Sequence, residues 1–148
     1  MIVEDSIHIN ASREKIWPYL TEPEKILQWY LTFKKFEFTS EQHEGKGTTF
    51  HVEEKAGPLP VTAIDFKSNE WVENEIISFA KISEGGVKKY HQWWTIAPEN
   101  SGSKFTLKEE IEFPYGFIGR LIELVGKGSS QSTIKIILSQ LRQLVESD

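Results

Sequence analysis

Between Phe33 and Phe113 the chain reverses every dozen residues or so, and no helical stretch interrupts the series. Phe36 and Phe38 alternate with charged residues, and after Gly45-Lys46-Gly47 the residues Thr48, Phe50 and Val52 alternate again. Gly57-Pro58 precedes a run from Pro60 to Phe66, and Ser68-Asn69 a run from Trp71 to Phe79. Gly85-Gly86 then precedes Val87 to Ile96, and Asn100-Ser101-Gly102 precedes Lys104 to Phe113. A period of two marks a strand with one buried face, and clusters of Gly, Pro and Asn mark its turns. Links this short join neighbours in opposite directions, so the six runs read as an antiparallel meander.

The segments on either side complete the pattern. Val3, Ile7 and Ile9 sit at odd positions with polar residues between them, which predicts a half-buried first strand. Ser12 is placed as a helix N-cap, with Glu14 in the first turn where the helix dipole favours it. Ile16, Trp17 and Leu20 give this helix an apolar face, and Pro18 should bend or shorten it. Thr21-Glu22-Pro23-Glu24 has the form of a capping box with Thr21 at the N-cap, and predicts a second short helix bearing Ile26, Leu27 and Trp29.

The last segment changes period. Ile118, Leu121, Ile122 and Val125 recur at helical spacing, and so do Ile134, Ile137, Leu138, Leu141, Leu144 and Val145. At 100° per residue the two stripes point more than about 100° apart, so one straight helix cannot bury both. Two readings follow. Either the helix breaks near Gly126–Ser130, or it continues with Tyr115, Gly119, Ile122, Gly126, Ser130, Thr133, Ile137 and Leu141 toward the sheet, small residues occupying the middle of that face.

Composition narrows the function classes. A chain of 148 residues fits one domain spanning 1–148. With no cysteine, disulfides, zinc–thiolate sites and cysteine nucleophiles are excluded. The formal net charge of −5 argues against nucleic acid, whose phosphates call for Lys and Arg. The acidic opening Met-Ile-Val-Glu-Asp does not read as a secretory leader, and no apolar run reaches the ~20 residues of a membrane span, so a cytoplasmic location is expected. The four histidines are scattered without metal-ligand spacing, and no Gly-rich phosphate loop is present. Neither a metal nor another cofactor is expected. The oligomeric state is left open.

The stretch Ile7-His8-Ile9-Asn10-Ala11-Ser12-Arg13-Glu14-Lys15-Ile16-Trp17 resembles the opening of the START and birch-pollen-allergen-like superfamily (SRPBCC). The likeness continues through Thr21–Glu24 and Gln28-Trp29, Gly45–Phe50, Trp94–Pro98 and Phe113–Leu121, and so covers nearly the whole chain. It implies an α+β helix-grip fold. A seven-stranded curved antiparallel sheet would carry two short helices after strand 1 and a long C-terminal helix across its concave face. That superfamily includes polyketide cyclases, lipid carriers, plant ligand binders and activators of a heat-shock ATPase, so the likeness implies a cavity rather than one reaction.

Alternation supplies the candidate site. If Phe105, Leu107, Ile111 and Phe113 face inward, so does Glu109; Tyr90, Trp94 and Ile96 likewise turn Gln92 inward. An inward carboxylate is costly unless paired or hydrogen-bonded, and perturbed acids mark functional sites. Its structural alternative is a strand-end or paired carboxyl. Glu109 is the only candidate catalytic residue. The expected ligand contacts are Trp29, Phe50, Tyr90, Gln92, Trp94, Glu109 and Phe113 on the sheet side, with Ile122, Gly126 and Ser130 on the helix. The leading expectation is a binder of a hydrophobic or aromatic small molecule in a cavity between sheet and helix. The alternatives are a cyclase or dehydratase using Glu109, and a protein-interaction module with an exposed apolar patch.

Overall fold

A computed structural model describes residues 1–148. Strand β1 (Ile2–Ile9) is followed by three short helices, α1 (Arg13–Ile16), α2 (Pro18–Thr21) and α3 (Pro23–Trp29). Then come β2 (Phe33–Phe38), β3 (Thr49–Glu54), β4 (Thr62–Val72), β5 (Ile76–Lys81), β6 (Lys89–Glu99) and β7 (Gly102–Glu112), and last α4 (Gly116–Ser147). The seven strands form one sheet in the order β1-β7-β6-β5-β4-β3-β2, with every neighbouring pair antiparallel. Because β1 and β2 are the two edges, α1–α3 carry the chain from one edge to the other across the open side of the curve. Register shifts between Phe33 and Lys35 and between Ser68 and Glu70 add local bend, as bulges do. No helix is long and apolar enough to cross a membrane.

The N-terminal expectations are met with two corrections. The Ser12 side chain accepts from the Lys15 N–H at 3.2 Å, as an N-cap should. Pro18, however, splits the first expected helix into two four-residue turns, so three short helices follow β1 rather than two. Nor does the Thr21 capping box form. Glu22 occupies the N-cap with no side-chain bond, Pro23 supplies the first helical position, and the Thr21 hydroxyl donates back to the Trp17 carbonyl at 3.3 Å. The expected turn at Ser68-Asn69 is a bulge inside β4. There Ser68 donates to the Ser78 carbonyl at 3.1 Å, and Ser78 donates to the Asn69 side chain at 2.8 Å. Polar residues that read as a turn are spent instead on the neighbouring strand. The reversal comes at Glu73–Glu75, with Asn74 at φ 65°.

Helix α4 runs unbroken for 32 residues, about 48 Å. Ile134, Ile137, Leu138, Leu141 and Val145 in its second half are buried. The Gln131 amide donates to the Glu4 carbonyl, and the Asn10 N–H donates to Glu146 at 2.8 Å, so the helix satisfies backbone groups on or beside the β1 edge. The segment is thus continuous, but Tyr115 and Ile122, which the continuous reading turns toward the sheet, are exposed, because the sheet side is packed only along the helix's second half. Along the inward face Gly119 is buried and Gly126, Ser130 and Thr133 are half-buried, whereas Phe117, Leu121, Leu124 and Val125 point into solvent, Val125 with 85% of its surface exposed. A Cβ built on Gly126 or Gly128 meets no atom within 4 Å, while one on Gly119 falls 2.4 Å from the Pro114 carbonyl oxygen.

Two substitutions should therefore act in opposite directions. Glycine inside a helix costs about 1 kcal/mol relative to alanine. Gly126→Ala should raise unfolding stability by that amount in chemical denaturation, and Gly119→Ala should lower it. A loss of stability in Gly126→Ala would show that the face of α4 at Gly126 is packed rather than open.

Candidate functional site

Three layers of side chains stack along the concave face of the sheet. The deepest is aromatic: Trp29 meets Trp94 at 5.1 Å and Phe105 at 5.7 Å between ring centroids, and Phe79 meets both Phe66 and Trp94 at about 5 Å. The Trp29 indole donates to the Tyr19 carbonyl at 2.7 Å, so a large apolar body is buried with its one polar atom satisfied. Beside these rings a residual space of only about 10 Å³ remains, walled by Leu20, Ile26, Phe50, Phe79 and Trp94 among others. This layer is filled.

Above it lies a polar layer made by the residues that alternation turns inward. Gln92 on β6 stands opposite Glu109 on β7, and Tyr30, at the end of α3, reaches over them. The Gln92 carbonyl accepts from the Trp94 indole at 2.8 Å. Its two amide protons go to the Tyr30 hydroxyl at 2.8 Å and the Tyr90 hydroxyl at 2.9 Å. Tyr90 in turn donates to Glu54 at 3.0 Å, and Thr32 donates to the other Glu54 oxygen at 2.8 Å. The Tyr90 hydroxyl, which accepts from the amide, keeps its own proton for Glu54.

Two carboxyl groups thus sit in or beside this layer, and neither makes an ion pair. Glu109 is 7% exposed. Burial pushes its pKa up to about 8, the charge of Glu54 pushes in the same direction, and a hydrogen bond from Tyr30 opposes both. Glu54 is only half-buried as a residue but its carboxyl is enclosed; burial raises its pKa, while the Thr32 and Tyr90 hydroxyls hold it down. Both tyrosines are held well above the usual phenol range, first by burial and then by the neighbouring acids, so they remain donors.

The third layer is open. A cleft of about 230 Å³ lies at the end of the sheet, walled by Glu54, Ile64, Val87, Tyr90, Ile111 and Phe113. Its lips are the segments around Leu59-Pro60 and Gly85-Gly86. Gly85 and Gly86 are consecutive left-handed residues (φ +80° and +69°), a conformation side chains disfavour. No residue of α4 lines this cleft, so it opens at the sheet's end rather than between sheet and helix as expected.

The expected site residues separate accordingly. Tyr90 and Phe113 line the cleft; Gln92 and Glu109 form the layer beneath; Trp29, Phe50 and Trp94 belong to the aromatic base. Ile122, Gly126 and Ser130 lie on α4 outside the cleft, Ile122 exposed and the other two half-buried. Sequence reasoning missed Glu54, Tyr30 and Thr32. The parity Phe50, Val52, Glu54 carried a signal for the first, but Glu53-Glu54-Lys55 reads as a solvated strand end. His51 and His91 lie on the outer face, on Asp65 (2.7 Å) and Ser78 (2.7 Å).

The family model described as polyketide cyclase / dehydrase and lipid transport matches residues 1–146. No curated protein sequence matches the chain. Among solved structures, protein TTHA0849 of Thermus thermophilus is similar at 18% identity and TM-score 0.82, covering 99% of this chain and 98% of that one. A START superfamily protein of Mycobacterium smegmatis is similar at 15% identity and TM-score 0.76, covering 97% and 98%. Norcoclaurine synthase of Thalictrum flavum is similar at 18% identity and TM-score 0.69, covering 100% and 87%. At these identities the likeness concerns the fold.

The buried acid makes stability depend on pH. Between the ordinary Glu value near 4.5 and about 8, the folded chain keeps the Glu109 proton that the unfolded chain releases. Unfolding stability should fall as pH rises through that window, by at most about 1.4 kcal/mol per unit. Melting curves from pH 5 to 9 should show this decline in the parent and a flatter profile in Glu109→Gln. An equal slope in both would place the titrating group elsewhere.

Proposed function

The chain belongs to the polyketide cyclase / dehydrase and lipid transport family, and from that premise we propose that it binds a hydrophobic or aromatic small molecule in the cleft at the open end of the sheet. The observation that carries this reading is the stacking of an apolar-walled cleft on a polar layer whose two acids have no cation. Such acids are expensive to hold inside a fold, and apolar pockets with a few polar groups at one end are the usual form of ligand sites. The filled aromatic base beneath gives the polar layer a rigid support. Ile64, Val87, Ile111 and Phe113 would take the ligand's apolar body, and Glu54 and Tyr90 its polar end. The family description, with its cyclases and lipid carriers, fits the same ligand chemistry.

A second reading is an enzyme of the cyclase or dehydratase type. It is favoured by Glu109, a carboxylic acid that keeps its proton at neutral pH in contact with a tyrosine hydroxyl. Proton-transfer catalysis is most effective when the group's pKa lies near the working pH. Glu109→Gln would then abolish turnover while leaving binding in place.

Native mass spectrometry of the purified chain, together with titration of the apolar dye N-phenyl-1-naphthylamine, tests the binding reading. Thr62 lines the cleft and is exposed, so Thr62→Trp fills the space without touching the core. The parent should retain a small apolar compound or enhance the dye's emission, and Thr62→Trp should lose either signal at an unchanged melting temperature. Binding that survives the blocking substitution would place the site outside this cleft.

A further inference from the structure

The donors that reach the cleft side of the polar layer are already committed, and what they leave has a sign. Gln92 gives both amide protons to tyrosines, Trp94 gives its indole proton to Gln92, Tyr90 gives its proton to Glu54, and Thr32 does the same. None of these five protons is left over for a ligand at the cleft. What remains facing it is the Glu54 carboxyl, a group with four lone-pair positions when ionised, of which the two hydroxyls take part. Glu54 makes no ion pair with any Lys or Arg. The other charged groups lining the cleft are Glu84 and Lys81, and Lys81 donates to the Ser83 carbonyl. The cleft lining is therefore net acidic, with an aromatic wall of Tyr90 and Phe113 whose ring faces attract cations.

From this juxtaposition we infer that the ligand carries a protonated amine on its apolar or aromatic body, and that the ammonium group seats on Glu54 against Tyr90. The inference rests on the cleft being the binding site and narrows the ligand's chemical class. A cation at Glu54 supplies the charge that the fold withholds, and its N–H groups fill the lone pairs that Thr32 and Tyr90 leave. A carboxylate ligand meets repulsion from Glu54, and a carbonyl there finds the Tyr90 and Thr32 protons already given to that carboxyl.

Three probes of one shape separate the possibilities: 2-(naphthalen-2-yl)ethylamine, 2-(naphthalen-2-yl)ethanol and 2-naphthylacetate, each titrated calorimetrically at pH 7 and low salt. A charge-assisted bond to a partly buried carboxylate should make the amine about tenfold tighter than the alcohol, with the acetate weakest. In Glu54→Gln, which keeps the side chain's shape, that tenfold preference should fall to about twofold or less while the alcohol's affinity stays within about twofold. Three probes binding equally, or an amine preference that survives Glu54→Gln, would overturn the inference and leave the cleft reading standing. If none of the three binds, the cleft reading falls and the inference falls with it. The comparison among probes on the parent chain does not depend on the variant folding.

Discussion

Both N–H groups of the Gln92 amide are given to tyrosine hydroxyls, and its carbonyl is given to the Trp94 indole. That one side chain joins the aromatic base of the fold to its acidic layer. It fixes the indole from above and holds two phenol hydroxyls, of which Tyr90 gives its proton to Glu54. In a low-dielectric interior an unpaired polar atom costs about 1–3 kcal/mol, so a network of this kind is stable only when complete. No buried side-chain nitrogen or oxygen lacks a partner. Removing the amide would strand an indole and loosen two hydroxyls at once, and the positions of Tyr30 and Tyr90 relative to Glu54 and Glu109 depend on it.

The sheet's geometry decides what lies above that layer. Antiparallel pairing puts Tyr90 opposite Ile111 and Gln92 opposite Glu109, so each step of two residues along β6 and β7 climbs one layer toward the open end. Helix α4 closes the other side unevenly. Its second half buries aliphatic residues and satisfies backbone groups at the β1 edge, while its first half stands with open space around Gly126 and Gly128 and an apolar stripe in solvent. The fold is thus tightly packed at one end and open at the other, where the acids and tyrosines gather.

Much of this was legible in the sequence because it follows from parity. The period of two from Phe105 to Phe113 turns Glu109 inward, and the same rule turns Gln92 inward; both lie where it places them. The antiparallel sheet was legible from the same period together with its turn residues, and the terminal helix from the change to helical spacing. Features decided by tertiary partners were less so. Ser68-Asn69 has the composition of a turn, yet its side chains bond to β5 and the strand runs on through a bulge. Tyr30 lies at the end of a short helix, where no period predicts its direction, and only the fold brings it over Gln92. The two incompatible stripes of α4 were visible, but that one of them stays exposed depends on where the sheet ends.

The character of the polar layer depends most on Glu109 being a buried acid with no cation and a second carboxyl nearby. Its side-chain carboxyl carbon can be followed by NMR from pH 4 to 10, with Glu54→Gln as a second sample because the two acids titrate as a pair. The predicted result is an apparent midpoint near 8 for Glu109 in the parent, moving downward when the charge of Glu54 is removed. A midpoint near the ~4.3 of a free glutamate would contradict it, since the carboxyl would then be solvated or paired and the polar layer would carry no uncompensated acid.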